Sequence, residues 1–127
     1  MYGRLGIVYD ESYYSSLDSF GLIKVIIVYP DYPTIATDTR LVTGDTNCRN
    51  PCIIMSQTHS FSDIRMLIMY EQRESSHIVI NALACDYILS GGYPFAMIFN
   101  IANSAGNNLY PYGVFDPGNQ NFLITYS

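Results

Sequence analysis

Short apolar runs, separated by turn-forming residues, recur along the whole chain. The runs are rich in Ile, Val, Tyr and Phe, and Gly, Pro, Asn, Asp and Ser bound them. This pattern predicts β-strands. The predicted strands are Leu5–Tyr9, Leu22–Tyr29, Ile53–Ser56, Ile64–Tyr70, Ile78–Leu83, Tyr87–Leu89, Phe95–Ile101, Tyr112–Phe115 and Phe122–Tyr126.

Two of these runs carry further information. Leu22–Tyr29 is apolar on both faces apart from Lys24, which predicts a central strand. In Phe95–Ile101, larger side chains alternate with others, as expected when one face meets a core. A helix over Asp63–Gln72 is an alternative, because Leu, Met and Arg favour helices there.

The turns complete an all-β interpretation. Ser90–Gly92 has the composition of a hairpin turn, and Asp116–Asn119 that of a type I or II turn. Asp31–Pro51 has little strand signal and predicts a long surface loop. We expect residues 1–127 to form one domain, an antiparallel β-sandwich or jelly-roll-like fold.

The amino-acid composition limits the classes of molecule that the chain is expected to bind. Charged residues make up 13% of the 127 residues, against ~25% in an average soluble domain. Twelve tyrosines are present, so much of the surface suits contact with protein or sugar. A net charge of −5 argues against nucleic acid as a partner. No stretch has the pattern of a signal peptide or a membrane span, so no membrane is expected.

The cysteines leave three interpretations open. Cys48 and Cys52 could form half of a zinc site, completed by Cys85 and by His59 or His77, but the second close-spaced pair is missing. Cys48 and Cys52 could form a disulfide. Otherwise the thiols are small apolar residues that bind nothing. The sequence favours the last interpretation, with no metal, no cofactor and a reducing compartment during synthesis.

Candidate catalytic residues do not form a recognisable set. Neither His59 nor His77 is next to a nucleophile motif, and Gly-x-Ser-x-Gly is absent. Glu71 and Glu74 could be paired carboxylates for glycoside chemistry, but they also fit a solvated turn. We therefore expect a protein that is not an enzyme, with a hydrolase as the least favoured class.

Function is then expected in a contact surface made by loops on a rigid sheet. The segments Asp31–Pro51 and Asn103–Tyr112 are the candidate loops, since Tyr and Arg often dominate the binding energy of interfaces. The candidate contact residues are Tyr32, Arg40, Arg49, Tyr110 and Tyr112. Residues 100–113 also carry four Asn beside two Tyr, which suits either a β-loop or a sugar site.

The two ends of the chain resemble each other. GIVYDESYYSSL near the start and YGVFDPGNQNFL near the end both have an apolar and aromatic run, Asp, turn residues and a return to an apolar residue. Any β-hairpin can have this residue pattern, so an alternative is that the two segments are unrelated hairpins. If the two are sister hairpins, Asp10 and Asp116 should each end a strand, and Val8 and Val114 should face the same core.

The first of these segments resembles the start of small proteins encoded among the structural genes of tailed bacteriophages and prophages. The matching residues are Gly6, Val8, Tyr9, Asp10, Leu17, Asp18 and Ser19. The late segment is similar to a hairpin near the other end of such proteins, with Tyr112, Gly113, Val114, Phe115 and Asp116. Together the matches cover roughly 30 of the 127 residues.

The resemblance implies a structural component of a virion, tail- or fibre-associated, that contacts other virion proteins. The low charge and many tyrosines predict a homo-oligomer, because a lone monomer would expose apolar patches. The resemblance favours a trimer, located in the virion and in the host cytoplasm during assembly. Two alternatives stay open. One is a receptor- or carbohydrate-binding tip or a head decoration domain, with a host-surface glycan as partner. The other is a phage inhibitor of host defence.

Overall fold

A computed structural model describes residues 5–12, 20–29, 36–43, 46–56, 66–85 and 95–127. These residues form nine strands and no helix, which confirms the predicted all-β fold class. The strands are β1 (Leu5–Ser12), β2 (Gly21–Tyr29), β3 (Ala36–Leu41), β4 (Cys48–Met55), β5 (Met66–Arg73), β6 (Ile78–Cys85), β7 (Phe95–Ala102), β8 (Tyr112–Asp116) and β9 (Asn121–Thr125). In this described part of the chain, no helix is long and apolar enough to cross a membrane.

Strands β1–β7 form one antiparallel sheet in the order β1-β2-β4-β5-β6-β7, and β3 pairs with β2 beside β4. Strands β8 and β9 form a separate two-stranded hairpin. β2 has partners along both edges, which confirms the prediction of a central strand. Its one charged residue, Lys24, forms an ion pair with Glu11 of β1.

The sheet folds over on itself around a first core. β2 pairs with β4 only at Gly21 and Cys48, so the β1–β3 part can turn and cover β4–β6. One buried cluster contains residues from both parts: Ile23, Val25, Val42, Cys48, Met66, Ile68, Tyr70 and Leu83. Sequestering such side chains is the main favourable term in folding.

A second core lies on the other face of β5. It contains Ile54, Leu67, Met69, Ile80, Ala82, Ala84 and Ala102, and the β8–β9 hairpin covers it. β5 therefore contributes alternate residues to two cores, and Met66–Glu71 is buried on both faces. The result is an antiparallel, sandwich-like fold, as predicted.

The predicted loop over Asp31–Pro51 is wrong in part. It contains β3 and the first half of β4. β3 is polar and rich in Thr, and such a strand needs only the free edge of β2 to satisfy its backbone. β4 begins early because a bulge between Arg49 and Cys52 accommodates Asn50, at φ 48°, and Pro51.

Of the remaining local predictions, some concern described residues and can be tested, and others lie outside them. The helix alternative is wrong where it can be compared, because Met66–Arg73 is strand β5. The turn after Asp116 is confirmed, and it joins β8 to β9. The predicted strand Tyr87–Leu89 and the turn Ser90–Gly92 lie outside the described residues.

Candidate functional site

The β8–β9 hairpin alternates strictly between its two faces. Its inner face carries Phe115 and Phe122, directly opposite each other with ring centroids 5.3 Å apart, and Ile124. These three side chains pack against the second core. The hairpin is thereby fixed to the sheet through apolar contacts.

Gly113 allows the hairpin to approach the sheet closely. A Cβ atom at this position would lie 2.5 Å from Ile54 Cδ1 and 2.6 Å from the carbonyl oxygen of Leu123. Contacts that short are repulsive. A side chain would therefore press on Ile54 of β4 and on the backbone of β9, the other strand of the hairpin. The glycine also takes an inward position of the alternation, which leaves its neighbours pointing outward.

The outer face of the hairpin is apolar as well. We define this outer face as Tyr112, Val114, Leu123 and Thr125, which pair across the strands as Tyr112 with Thr125 and Val114 with Leu123. Tyr112, Val114 and Leu123 are 62%, 47% and 55% exposed. The four residues line a shallow depression of about 220 Å³. Two further exposed tyrosines, Tyr110 and Tyr126, lie at the open end of the hairpin.

A short capping network closes the turn between the strands. The Asp116 carboxylate accepts hydrogen bonds from the Gly118 N–H (2.9 Å), the Asn119 N–H (3.4 Å) and Asn119 Nδ2 (2.7 Å). The Asn119 side chain, followed by the Gly118 N–H, lowers the pKa of Asp116. The network thus favours the ionised carboxylate and the folded turn together.

A buried carboxylate holds the other end of the hairpin. Glu71 is fully buried and accepts three hydrogen bonds of 2.8 Å each, from Arg49 Nε, Asn50 Nδ2 and the Tyr110 N–H. A buried charge is costly unless it is paired, and these three donors offset that cost. Glu71 therefore ties β5 to the β4 bulge and to the segment before β8.

Tyr110 has an unusual backbone, with φ at 54°. A bulky residue rarely adopts this left-handed conformation. The hydrogen bond from its N–H to Glu71 Oε1 helps to keep it there. Glu71 thus positions the backbone of an exposed tyrosine.

The bulge is also joined to β1 and to a pair of cation–π contacts. The Asn50 N–H donates to Asp10 Oδ2 at 3.1 Å. The guanidinium groups of Arg49 and Arg73 lie 4.4 and 3.9 Å from the centroid of the Phe20 ring. These contacts connect β1, the start of β2, β4 and β5 around Glu71.

The structure separates the five residues predicted as contacts. Tyr110 and Tyr112 come together at the start of the hairpin and are 66% and 62% exposed. The side chain of Arg49 is 15% exposed and paired with Glu71, so it serves the interior. Tyr32 and the side chain of Arg40 lie outside the described part of the structure.

All four asparagines of residues 100–113 bond within the protein. Asn100 donates to Asn81, Asn103 bonds His77 at 2.7 Å, and Asn107 accepts from the Ile78 N–H. Asn108 is buried and donates to the carbonyls of Ile78 and Gly106. These amides build the loop between β7 and β8, which agrees with the interpretation as a β-loop.

Only some of the cysteines and histidines considered as zinc ligands lie in the described part of the structure. Cys48 lies in the first core and Cys52 against the second, on the opposite side of the sheet, so this fold does not join them by a disulfide. Burial raises the pKa of the Cys52 thiol, partly offset by a hydrogen bond from Gly113. His59 and the side chain of Cys85 lie outside the described residues. Within the described residues, no group of three potential metal-binding side chains occurs.

His77 and the two glutamates have separate local contacts. His77 bonds Ser76 and Asn103 through its two ring nitrogens and lies 3.8 Å from Glu74. Glu71 is committed to the buried network described above. The two carboxylates therefore do not form the glycosidase-like pair considered from the sequence.

The two end segments differ more than their sequences suggested. Val8 packs against the first core, whereas Val114 points outward, so the prediction that both face one core is wrong. Asp116 ends β8 next to its turn, but Asp10 lies inside β1, which continues to Ser12 opposite Gly21. Gly113 is the physical reason for the outward Val114, because it occupies the adjacent inward position.

Comparisons with models of protein families, with curated proteins and with solved structures found no match for this chain.

Proposed function

We propose that the chain is a structural component of a bacteriophage virion, tail- or fibre-associated, which works through protein–protein contacts. The resemblance of its two end segments to small phage structural proteins supports the virion role. The outer face supports the mode of action. It is a surface for contact rather than a cleft for chemistry.

The exposed apolar outer face carries this proposal. An antiparallel hairpin on the outside of a protein ordinarily has polar residues on its solvent side. Here Tyr112, Val114 and Leu123 occupy that side and are about half exposed or more. Contiguous exposed apolar residues of this kind mark interaction sites.

The scaffold beneath this face suits a structural role. Phe115 and Phe122 fix the hairpin on one core, and Glu71 fixes the backbone of Tyr110. A surface held in one geometry loses little conformational entropy on binding. The face is thus prepared for a partner before contact.

The direct test is the composition of purified particles. Mass spectrometry of particles from the phage or induced prophage that encodes the chain should detect it at a constant number of copies. Its absence from particles, with the protein abundant in the host cytoplasm, would overturn the virion role and favour the inhibitor of host defence.

The tyrosines provide a second test. Replacing Tyr110 and Tyr112 with Ala should reduce incorporation into particles while the protein stays folded, since an anchoring aromatic typically contributes ~2 kcal/mol or more. Circular dichroism checks the fold. Normal incorporation of the double variant would place the contact surface elsewhere.

A glycan-binding tip is the second candidate, and one observation favours it. Tyr112 is exposed beside the depression on the outer face, where a sugar ring could stack. The internally bonded asparagines leave fewer polar partners for sugar hydroxyls. A glycan array with the purified protein tests this candidate separately from particle composition.

A further inference from the structure

We infer that the outer face of the hairpin is a two-fold interface that binds the same face of a second copy of this chain. The inference does not rest on the virion role. It follows from the apolar side chains, the charge, the exposed area and the shape of the outer face.

The hairpin has apolar residues on both faces, the pattern of a pair of strands that is buried on both sides. Phe115, Phe122 and Ile124 are covered by the second core, and Tyr112, Val114 and Leu123 have the same apolar character on the other side. Strands that are apolar on both faces are normally buried on both faces. Among the residues that the structure describes, only one of the two layers that this pattern requires is present.

Charge favours a second copy as the missing layer. The chain carries a net charge of −5, so two copies repel each other across most orientations. The four members of the outer face are Tyr, Val, Leu and Thr, and the one acidic side chain at an outward position of the hairpin, Asp116, lies at its turn end, where Gly118 and Asn119 bond it. Two copies can therefore meet here without placing like charges opposite each other.

The available area reaches what a weak dimer needs. With about 200 Å² for a tyrosine, the exposed parts of Tyr112, Val114 and Leu123 amount to roughly 300 Å² per copy, and a contact that also includes Tyr110 and Tyr126 at the open end of the hairpin reaches roughly 500–600 Å². Two copies would then bury about 1,000–1,200 Å², the lower end for specific interfaces. The expected dimer is in concentration-dependent exchange with its monomer.

The shape of the face is compatible with two-fold symmetry. Val114 and Leu123 pair across the hairpin, and the depression of about 220 Å³ lies among the outer-face side chains. In an isologous contact each copy presents both its projecting side chains and its depression to the other. The two hairpins would pack face to face at the usual sheet spacing of about 10 Å.

The test is sedimentation of the purified protein at micromolar concentrations. Wild type should shift from monomer to dimer as its concentration rises. The double variant Val114→Thr/Leu123→Thr should stay monomeric, with the dissociation constant raised about tenfold or more. Threonine is β-branched, as valine is, and is favoured in strands, and both positions are exposed, so the variant should stay folded.

Ile98→Thr is the matched control. Ile98 is 63% exposed on β7, away from the hairpin, so this change removes a comparable apolar side chain from a different surface. The control should dimerise as wild type does. If the double variant unfolds, Tyr112→Ser alone should weaken the dimer in the same direction.

Three results would overturn the inference. Wild type could be a monomer throughout the concentration range, the double variant could associate as wild type does, or the protein could form a trimer that the double variant leaves intact. None of these depends on whether the chain occurs in particles, so the two proposals can fail separately.

Discussion

At the scale of single residues, the buried carboxylate of Glu71 has the widest influence. It follows the apolar residues 66–70 directly and is fully buried with them. Its three hydrogen bonds reach two neighbouring segments, the bulge of β4 and the backbone of Tyr110. The sequence around Glu71 fits a solvated turn or a catalytic pair with Glu74, but a carboxylate that directly follows a buried apolar strand also indicates an internal partner.

Glu71→Gln should lower the free energy of unfolding by about 3 kcal/mol or more, because it leaves the Arg49 guanidinium without its carboxylate in a largely buried site. Urea denaturation measures this. Glu74→Gln, at an exposed position three residues away, is the control and should change stability by less than about 0.5 kcal/mol. Equal stability of both variants would contradict the role given to Glu71.

Asp116→Asn tests the turn network through its dependence on pH. The pKa of Asp116 is lowered in the folded protein, so its contribution to stability is present above the pKa of the unfolded state. That contribution is lost as the pH falls through the folded pKa. Wild type should therefore be more stable than Asp116→Asn at neutral pH, and the difference should disappear in acid. A difference that stays constant into acid would contradict this account.

At the scale of elements, the hairpin depends on a close approach to the sheet at Gly113. Gly113→Ala places a Cβ within 2.6 Å of both Ile54 Cδ1 and the Leu123 carbonyl oxygen. We expect a loss of about 1–3 kcal/mol, the usual cost of overpacking. The backbone oxygen cannot move aside as a flexible side chain could.

Gly106→Ala is the matched control for that prediction. A Cβ at Gly106 meets nothing within 4 Å, so the substitution should be neutral or slightly stabilising. Thermal unfolding of the two variants compares them directly. Similar melting temperatures would show that the hairpin does not pack as closely as the structure has it.

The elements also show what the sequence could and could not predict. Strands with a clear apolar pattern, such as β2 and β7, were found because burial imposes that pattern. β3 was missed because a polar strand on a sheet edge is stabilised by backbone pairing, which leaves little trace in the side chains. β4 was found only in its second half, since Asn50 and Pro51 of the bulge resemble a loop.

The candidate site was predictable in part for a similar reason. Tyr110 and Tyr112 were identified from residue type and lie exposed at the hairpin. Val114 was predicted to face the same core as Val8, on the hypothesis that the two end segments are sister hairpins. Its outward orientation depends on Gly113 occupying the inner position, and this choice of face is set by tertiary packing rather than by the local pattern.

At the scale of the whole molecule, the described residues form a scaffold of two cores and one exposed apolar surface. One folded-over sheet encloses the first core, the hairpin closes the second, and the outer face of that hairpin is left apolar toward solvent. The account's central claim is that this outer face is where the protein makes its functional contacts. The scaffold's role is to hold that face in one geometry.

The most direct test of that claim measures the number of copies of the chain in each purified particle. Three forms of the chain are compared, each expressed in the phage at the same level. Wild type and Ile98→Thr should be incorporated equally. Val114→Thr/Leu123→Thr should be depleted about tenfold or more while remaining folded in the cytoplasm. Incorporation of the double variant at the wild-type number of copies would contradict the account.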